Sequence, residues 1–214
     1  MINLILADTR RSLEYLKILS KNKLTIDNIL IYSKKNNFQI LKKIKNLNYQ
    51  KKIIKLKIQD VNKIKLSSLR KIKNKNFNIL SAYPGEIVNN NKLLKKNLIH
   101  CHPGDLPNFK GSTTIYYSLI LKKRICVTLF IMNSKIDSGK ILFKKKFSIP
   151  KNIRSIEENY DSVIRAKTLF NYLISNKKKK YKNKNKKSLP YYIAHPIIRQ
   201  IILNKKILKN IFDK

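Results

Sequence analysis

Residues 77–85 read Phe-Asn-Ile-Leu-Ser-Ala-Tyr-Pro-Gly, and residues 97–104 read Asn-Leu-Ile-His-Cys-His-Pro-Gly. Each is a short, mostly apolar run that stops at Pro-Gly, the pattern of a strand ended by a tight turn. Upstream lie three more strand-like runs, Ile2 to Ala7, Asp27 to Tyr32 and Lys52 to Ile58. Between them fall helical stretches: one capped by Ser12 and running to about Ser20, one from Asn37 to Lys45, and a basic one at 66–73. Strands alternating with helices specify βαβ units, hence an α/β fold with a mainly parallel twisted sheet flanked by helices. Ligands of such sheets sit beyond the carboxyl ends of strands. Tyr83-Pro84-Gly85 and His102-Pro103-Gly104 end successive strands, so they are expected to flank one crevice.

Downstream, a helix is expected near 113–122 and strands at Ile125 to Met132 and Lys140 to Ser148, joined by the turn Asn133 to Gly139. A helix over 155–175 follows, and Pro196 opens a closing helix to about 211. The division expected is a catalytic domain over 1–150 and a helical extension over 151–214, with a solvated lysine-rich linker at 177–187.

The 214 residues suit one large domain or two small ones, and no apolar run is long enough to span a membrane. The first residues read as a strand and not as a leader peptide. Two cysteines, Cys101 and Cys126, without a framework of spacings point to a reducing compartment, so a cytoplasmic location is expected. The charge is extreme, with 49 Lys+Arg against 11 Asp+Glu and a formal net charge of +38. Such a surface attracts nucleic acid. Yet the lysines are spread along nearly the whole chain, and uncharged Asn and Ile are inflated too, which favours compositional drift; nucleic acid is a possible partner but not the favoured one.

Glycine locates the site. About 15 would be expected in a chain of this length, and there are four, Gly85, Gly104, Gly111 and Gly139, all in one quarter of the sequence. His100 and His102, two of the three histidines, share that region. On a strand they point the same way while Cys101 points oppositely, into the core. Asp137 sits in a turn after an apolar strand; it either caps its own backbone or orients and charges a neighbouring imidazole. Asp105 and Glu86 are the other acids nearby. His-x-His with Asp137 or Asp105 also opens a zinc-hydrolase alternative, with His195 the only further histidine.

Residues 97–111, Asn-Leu-Ile-His-Cys-His-Pro-Gly-Asp-Leu-Pro-Asn-Phe-Lys-Gly, resemble the signature of the 10-formyltetrahydrofolate-dependent formyltransferases. That family includes glycinamide ribonucleotide, methionyl-tRNA and amino-sugar enzymes. Its motif is Asn-x-His-Pro-Ser-x-Leu-Pro, then a basic residue and Gly, with an Asp-x-Gly turn further on. His102-Pro103, Leu106-Pro107, Lys110-Gly111 and Asp137-Ser138-Gly139 match in order and spacing. Residues 79–88 resemble the family's folate-binding loop. The resemblance implies a Rossmann-like formyltransferase fold and one-carbon metabolism, with 10-formyltetrahydrofolate held by Ala82, Tyr83, Pro84, Gly85, Ile87, Ser134 and Ile136. It implies that His102 polarises the formyl group, that Asp137 supports it and moves protons, and that the acceptor meets Pro107, Lys110, Gly111, Ser112 and Thr113. His100 stands where the family has Asn, and would donate to the formyl oxygen in its place.

The tail after residue 150 is short for a methionyl-tRNA enzyme. The stretch Asp8-Thr9-Arg10-Arg11-Ser12 lacks the glycine-rich phosphate loop of the ribonucleotide enzymes, although arginines at a helix start can hold a phosphate. Hydroxyls at Ser112, Thr113, Thr114, Tyr116 and Tyr117 would suit a sugar, so a small amine, an amino-sugar nucleotide, is the expected acceptor. A catalytically inactive RNA-binding relative is the other alternative.

Overall fold

The computed structural model describes residues 1–35, 38–44, 53–70, 72–73, 76–175, 189–204 and 208. Its strands are β1 (Ile2–Ala7), β2 (Ile26–Ser33), β3 (Ile53–Lys57), β4 (Phe77–Ser81), β5 (Leu98–His102), β6 (Ile125–Ile131) and β7 (Ile141–Phe147). They form one sheet in the order β3-β2-β1-β4-β5-β6-β7. Strand β1 pairs in parallel with β2 and β4, β2 with β3, and β4 with β5; β6 and β7 are antiparallel. The helices are α1 (Arg10–Lys21), α2 (Gln39–Lys43), α3 (Leu66–Leu69), α4 (Asn91–Leu94), α5 (Thr114–Lys122), α6 (Asp161–Ile174) and α7 (Pro196–Leu203). This is the mainly parallel α/β sheet that the sequence predicts. The lysine-rich run at 177–187 lies outside the described residues. No helix among the described residues is long and apolar enough to cross a membrane. By backbone proximity the chain divides into two compact units, Met1–His100 with Ile131–Ser134, and Cys101–Phe130 with Lys135–Lys214.

In the first unit every residue of β1 is buried, as a strand covered on both faces requires. Ile5, Leu30, Tyr32, Leu80 and Leu98 pack with Val61, Ile64, Leu69 and Leu93 in one cluster. Each such aliphatic side chain contributes about 1.5–3 kcal/mol of transfer free energy. The register carries a polar pin: Asn3 lies opposite both Asn28 and Asn78. Asn3 Nδ2 donates to Asn78 Oδ1 at 2.8 Å, and Asn28 Nδ2 donates to Asn3 Oδ1 at 2.8 Å. A slip of one residue would strand the buried amides of Asn3 and Asn78, so the three strands start level.

The helix start differs from the expectation. Thr9 caps α1, its Oγ1 accepting from Ser12 N. Ser12 lies inside the first turn, fully buried, and donates to Ser81 Oγ at 2.9 Å. Asp8 caps α2 from a distance, its carboxylate accepting from Gln39 N at 2.8 Å and Ile40 N at 2.7 Å. Sequence offers several small polar residues in a row here, and only the path of the chain selects among them.

In the second unit β6 is an almost wholly buried run, whereas β7 is mostly half-buried and carries Lys144, Lys145 and Lys146 in succession. The helix expected from 155 begins as a π-helical turn, Ile156–Tyr160, before α6. Pro196 is the first residue of α7, and His195 caps it, its Nδ1 accepting from Ile197 N at 3.2 Å.

Candidate active site

The His-x-His pair lies on β5, as the sequence predicts, and the two rings have different partners. The His100 ring donates from Nδ1 to Leu80 O on β4 at 3.2 Å. A neutral His100 therefore carries its proton on Nδ1, and only a second proton makes Nε2 a donor.

His102 is buried, 3 % exposed. Its Nε2 lies 2.6 Å from Phe109 O and 3.3 Å from Thr114 Oγ1. Thr114 gives its own hydroxyl proton to Pro103 O at 2.9 Å. Both neighbours of Nε2 are then acceptors, so Nε2 bears the proton. Nδ1 faces Asp137 Oδ2 at 3.4 Å. The same carboxylate oxygen accepts from Gly111 N at 2.8 Å. Burial lowers the basicity of His102, and Asp137 and Phe109 O oppose that shift without cancelling it. The ring is thus neutral near pH 7, with a lone pair on Nδ1 beside a carboxylate that stabilises any proton arriving there.

Asp137 sits at φ +46°, in the left-handed region that a non-glycine residue adopts at a cost of roughly 1–2 kcal/mol. Its carboxylate bond to Gly111 N holds it there. The loop after β5 is held equally firmly. Thr128 Oγ1 on β6 donates to Gly104 O at 2.6 Å and accepts from Leu106 N at 3.3 Å. Asp105 pairs with Lys144 of β7 at 2.7 Å, so it fastens the loop. A Cβ on Gly104 would lie 2.6 Å from His102 Nε2 and 2.5 Å from Phe109 O. The imidazole and the Phe109 carbonyl occupy the space that a side chain there would take. Glycine is required here, although the family motif carries Ser at this position.

Arg165 of α6 is 8 % exposed; Nη1 donates to Cys101 O at 3.0 Å, and Nε donates to Asp161 Oδ1 at 2.9 Å. It anchors the peptide unit that precedes His102, and its charge lowers the basicity of that ring further. Nothing in the sequence flags this contact across 64 positions. Cys101 and Cys126 are buried, neither in a disulfide, and burial pushes the Cys126 thiol up to about 11.

The residues expected to meet an acceptor are largely engaged within the protein. Lys110 O accepts from Tyr191 N at 2.8 Å, Ser112 N donates to Tyr191 O at 2.8 Å, and Thr113 Oγ1 bonds Tyr192 O and Ala194 N. Tyr116 donates to Glu157 at 2.9 Å. The hydroxyl-rich stretch that would suit a sugar therefore serves structure first. Pro107 is half-buried in the loop before them.

The loop expected to hold a folate belongs to the first unit. Arg11 donates to Ser81 Oγ at 3.0 Å and to Ala82 O, so it braces this loop rather than waiting for a phosphate. Glu86 Oε2 accepts from Tyr83 N at 2.9 Å and Tyr32 OH at 2.6 Å. Asn62 Nδ2 donates to Ile87 O at 2.9 Å. Pro84 and Gly85 form the tip, Gly85 at φ +79° with open space where a Cβ would stand. Ile87 is 57 % exposed. A rigid loop with an open glycine and an outward isoleucine fits a flat, partly apolar ring such as a pterin. Ser134, in the same unit, is exposed, and Ile136, in the second unit, is 45 % exposed.

Among the described residues no group of three or more His, Cys, Asp or Glu is placed to hold a metal ion. His195 is occupied as a helix cap. The zinc alternative thus finds no third ligand among them.

A family model described as formyl transferase matches residues 1–168. The chain belongs to the formyl transferase family. With membership come the family's reaction, transfer of a formyl group, and its donor, 10-formyltetrahydrofolate. No curated protein matches this formyltransferase in sequence. Among solved structures it is similar to a sugar N-formyltransferase from Shewanella, at 17% identity and a TM-score of 0.56, over 95% of this chain and 86% of that one. It is also similar to an N-formyltransferase from Helicobacter canadensis, described in complex with folinic acid and dTDP-3-aminofucose, at 21% identity and a TM-score of 0.58, over 90% of this chain and 71% of that one. A phosphoribosylglycinamide formyltransferase from Bacillus halodurans matches at 18% identity and a TM-score of 0.52, over 79% of this chain and 95% of that one. At such identities these likenesses carry the fold.

Proposed function

We propose that this formyltransferase moves the formyl group of 10-formyltetrahydrofolate to a primary amine of a small substrate, an amino-sugar nucleotide. The observation that carries the reading is the His102–Asp137 pair, a buried neutral imidazole whose lone pair faces a carboxylate at 3.4 Å. A bound 10-formyltetrahydrofolate supplies an electrophilic formyl carbon on nitrogen. Ala82, Tyr83, Pro84, Gly85 and Ile87 hold the donor, with Ser134 and Ile136 as further contacts. His102 Nδ1 takes the proton that the amine must lose, Asp137 stabilises the resulting imidazolium, and that proton passes to the tetrahydrofolate nitrogen as its bond to the formyl carbon breaks. His102 Nε2–H is spent on Phe109 O, so polarisation of the formyl oxygen from that atom requires the bond to be exchanged. His100, once protonated on Nε2, donates to that oxygen. The amino-sugar class is supported by likeness to the Shewanella and Helicobacter canadensis enzymes.

The test is formyl transfer from 10-formyltetrahydrofolate to dTDP-amino sugars, glycinamide ribonucleotide and methionyl-tRNA, assayed side by side. Transfer to the sugar nucleotide is expected, with loss of about 100-fold or more in kcat for His102→Ala and retained binding of folinic acid. Unchanged turnover in that variant would refute the role of His102, and preference for another amine would refute the acceptor.

A further inference from the structure

We propose that Pro190–Ala194 is a working part of the reaction site, a strap that sets the loop around His102 and Asp137, with Tyr191 as its positioning residue. The inference rests on the formyl-transfer reading above. Tyr191 pairs with the loop on both sides of Gly111, its N–H donating to Lys110 O and its carbonyl accepting from Ser112 N, each at 2.8 Å. Thr113 Oγ1 accepts from Ala194 N at 2.8 Å and donates to Tyr192 O at 3.3 Å. The Tyr191 ring stacks on Phe109, centroids 5.5 Å apart and 15° between planes, and lies 4.5 Å from the Tyr117 ring. A Cβ on Gly111, at φ +93°, would come within 2.2 Å of Tyr191 O, so strap and loop meet backbone to backbone.

Two residues within the gripped stretch hold the reacting pair. Phe109 supplies the carbonyl that fixes the His102 tautomer, and Gly111 supplies the N–H that fixes Asp137. Releasing the strap frees the Phe109 ring on one face and the backbone on both sides of Gly111. The loop then loses its restraint in the direction that sets the 3.4 Å gap between His102 and Asp137. Misplacement of about 1 Å in a catalytic group costs on the order of 100-fold in rate.

The test uses the full chain carrying Tyr191→Ala and Tyr191→Phe, with kcat, KM for the formyl donor and the pH dependence of kcat measured for each. Tyr191→Ala is expected to lower kcat at least about tenfold, to leave the donor KM within about twofold, and to move the midpoint of the pH profile. Tyr191→Phe keeps the ring and is expected to restore all three. A Tyr191→Ala enzyme with wild-type kcat and midpoint overturns the proposal, and so does a slower enzyme whose midpoint has not moved. If Tyr191→Ala does not fold, Thr113→Ala decides on the same criteria, since it removes only the hydroxyl shared by Tyr192 and Ala194. If the wild type transfers formyl to none of the amines, the functional reading fails. The strap is then judged by the NMR signals of the His102 ring in Tyr191→Phe and Thr113→Ala, where an unmoved resonance in Thr113→Ala overturns it.

Discussion

Gly104→Ala adds a single carbon where the structure has no room for one. That carbon would sit 2.5 Å from Phe109 O, 2.6 Å from His102 Nε2 and 2.9 Å from His102 Cδ2. Ordinary contact begins near 3.4 Å, so something must move by close to an ångström. Phe109 is tied through its ring to Tyr191, and Gly104 O is tied to Thr128, so the backbone resists. The imidazole yields first, and the 2.6 Å bond from Nε2 to Phe109 O is lost. Forcing an extra carbon into a packed site costs about 1–3 kcal/mol, and a lost hydrogen bond adds about 0.5–1.5 kcal/mol. The sum, about 1.5–4.5 kcal/mol, corresponds to a fall in Tm of roughly 3–18 °C for a domain of this size. Urea denaturation of the variant and the wild type measures the difference, and formyl transfer should fall with it because Nδ1 leaves Asp137. Gly104→Ser carries the same Cβ and should lose as much, even though serine is the motif residue there. A change below about 0.5 kcal/mol in both variants, within the range of surface substitutions, would refute the steric argument.

Three further outcomes follow from the same geometry. His102 has a lowered folded pKa, so the folded state binds fewer protons than the unfolded state below about pH 6.5; stability should fall as pH drops from there towards the folded value, and His102→Gln should flatten that slope in urea titrations at pH 7.5 and 5.0. Arg165→Met removes the bond to Cys101 O and a cation that opposes protonation of His102; the His102 ring, followed by NMR, should titrate at higher pH, and an unmoved titration would exclude electrostatic coupling. Cys126, buried with its thiol at about 11, should react with a thiol reagent at pH 8 only upon unfolding; rapid labelling of the native protein would contradict its burial.

The strands were legible almost to the residue because their signal is local. β1, β4, β6 and β7 occupy the apolar runs that predict them within a residue or so, and β5 starts at Leu98 because Asn97 takes φ +53°. The ends of short helices were not legible. Among the described residues α3 covers Leu66–Leu69 and α2 covers Gln39–Lys43, each within a stretch expected to be helical. A helix of one turn has little stability of its own and takes its limits from packing. The start of α1 moved from Ser12 to Thr9 because Ser12 is drawn inward to Ser81. The proximity of His102 and Asp137 was legible through motif spacing, and the partners of each were not. Thr114, Arg165 and Tyr191 reach the site from 12, 63 and 89 positions beyond His102.

From sequence alone follow an α/β sheet, the clustering of glycines and histidines at strand ends, and likeness to one family of formyl-transferring enzymes. Those properties are written in periodicity and in residue types that few backbones accept. Tertiary structure alone settles which imidazole nitrogen keeps its proton, why Gly104 can carry no side chain, and that Tyr191 pairs with the backbone on both sides of Gly111. Protonation, steric exclusion and restraint depend on atoms brought within about 3 Å of each other, and residues that far apart along a chain carry no mark of that distance.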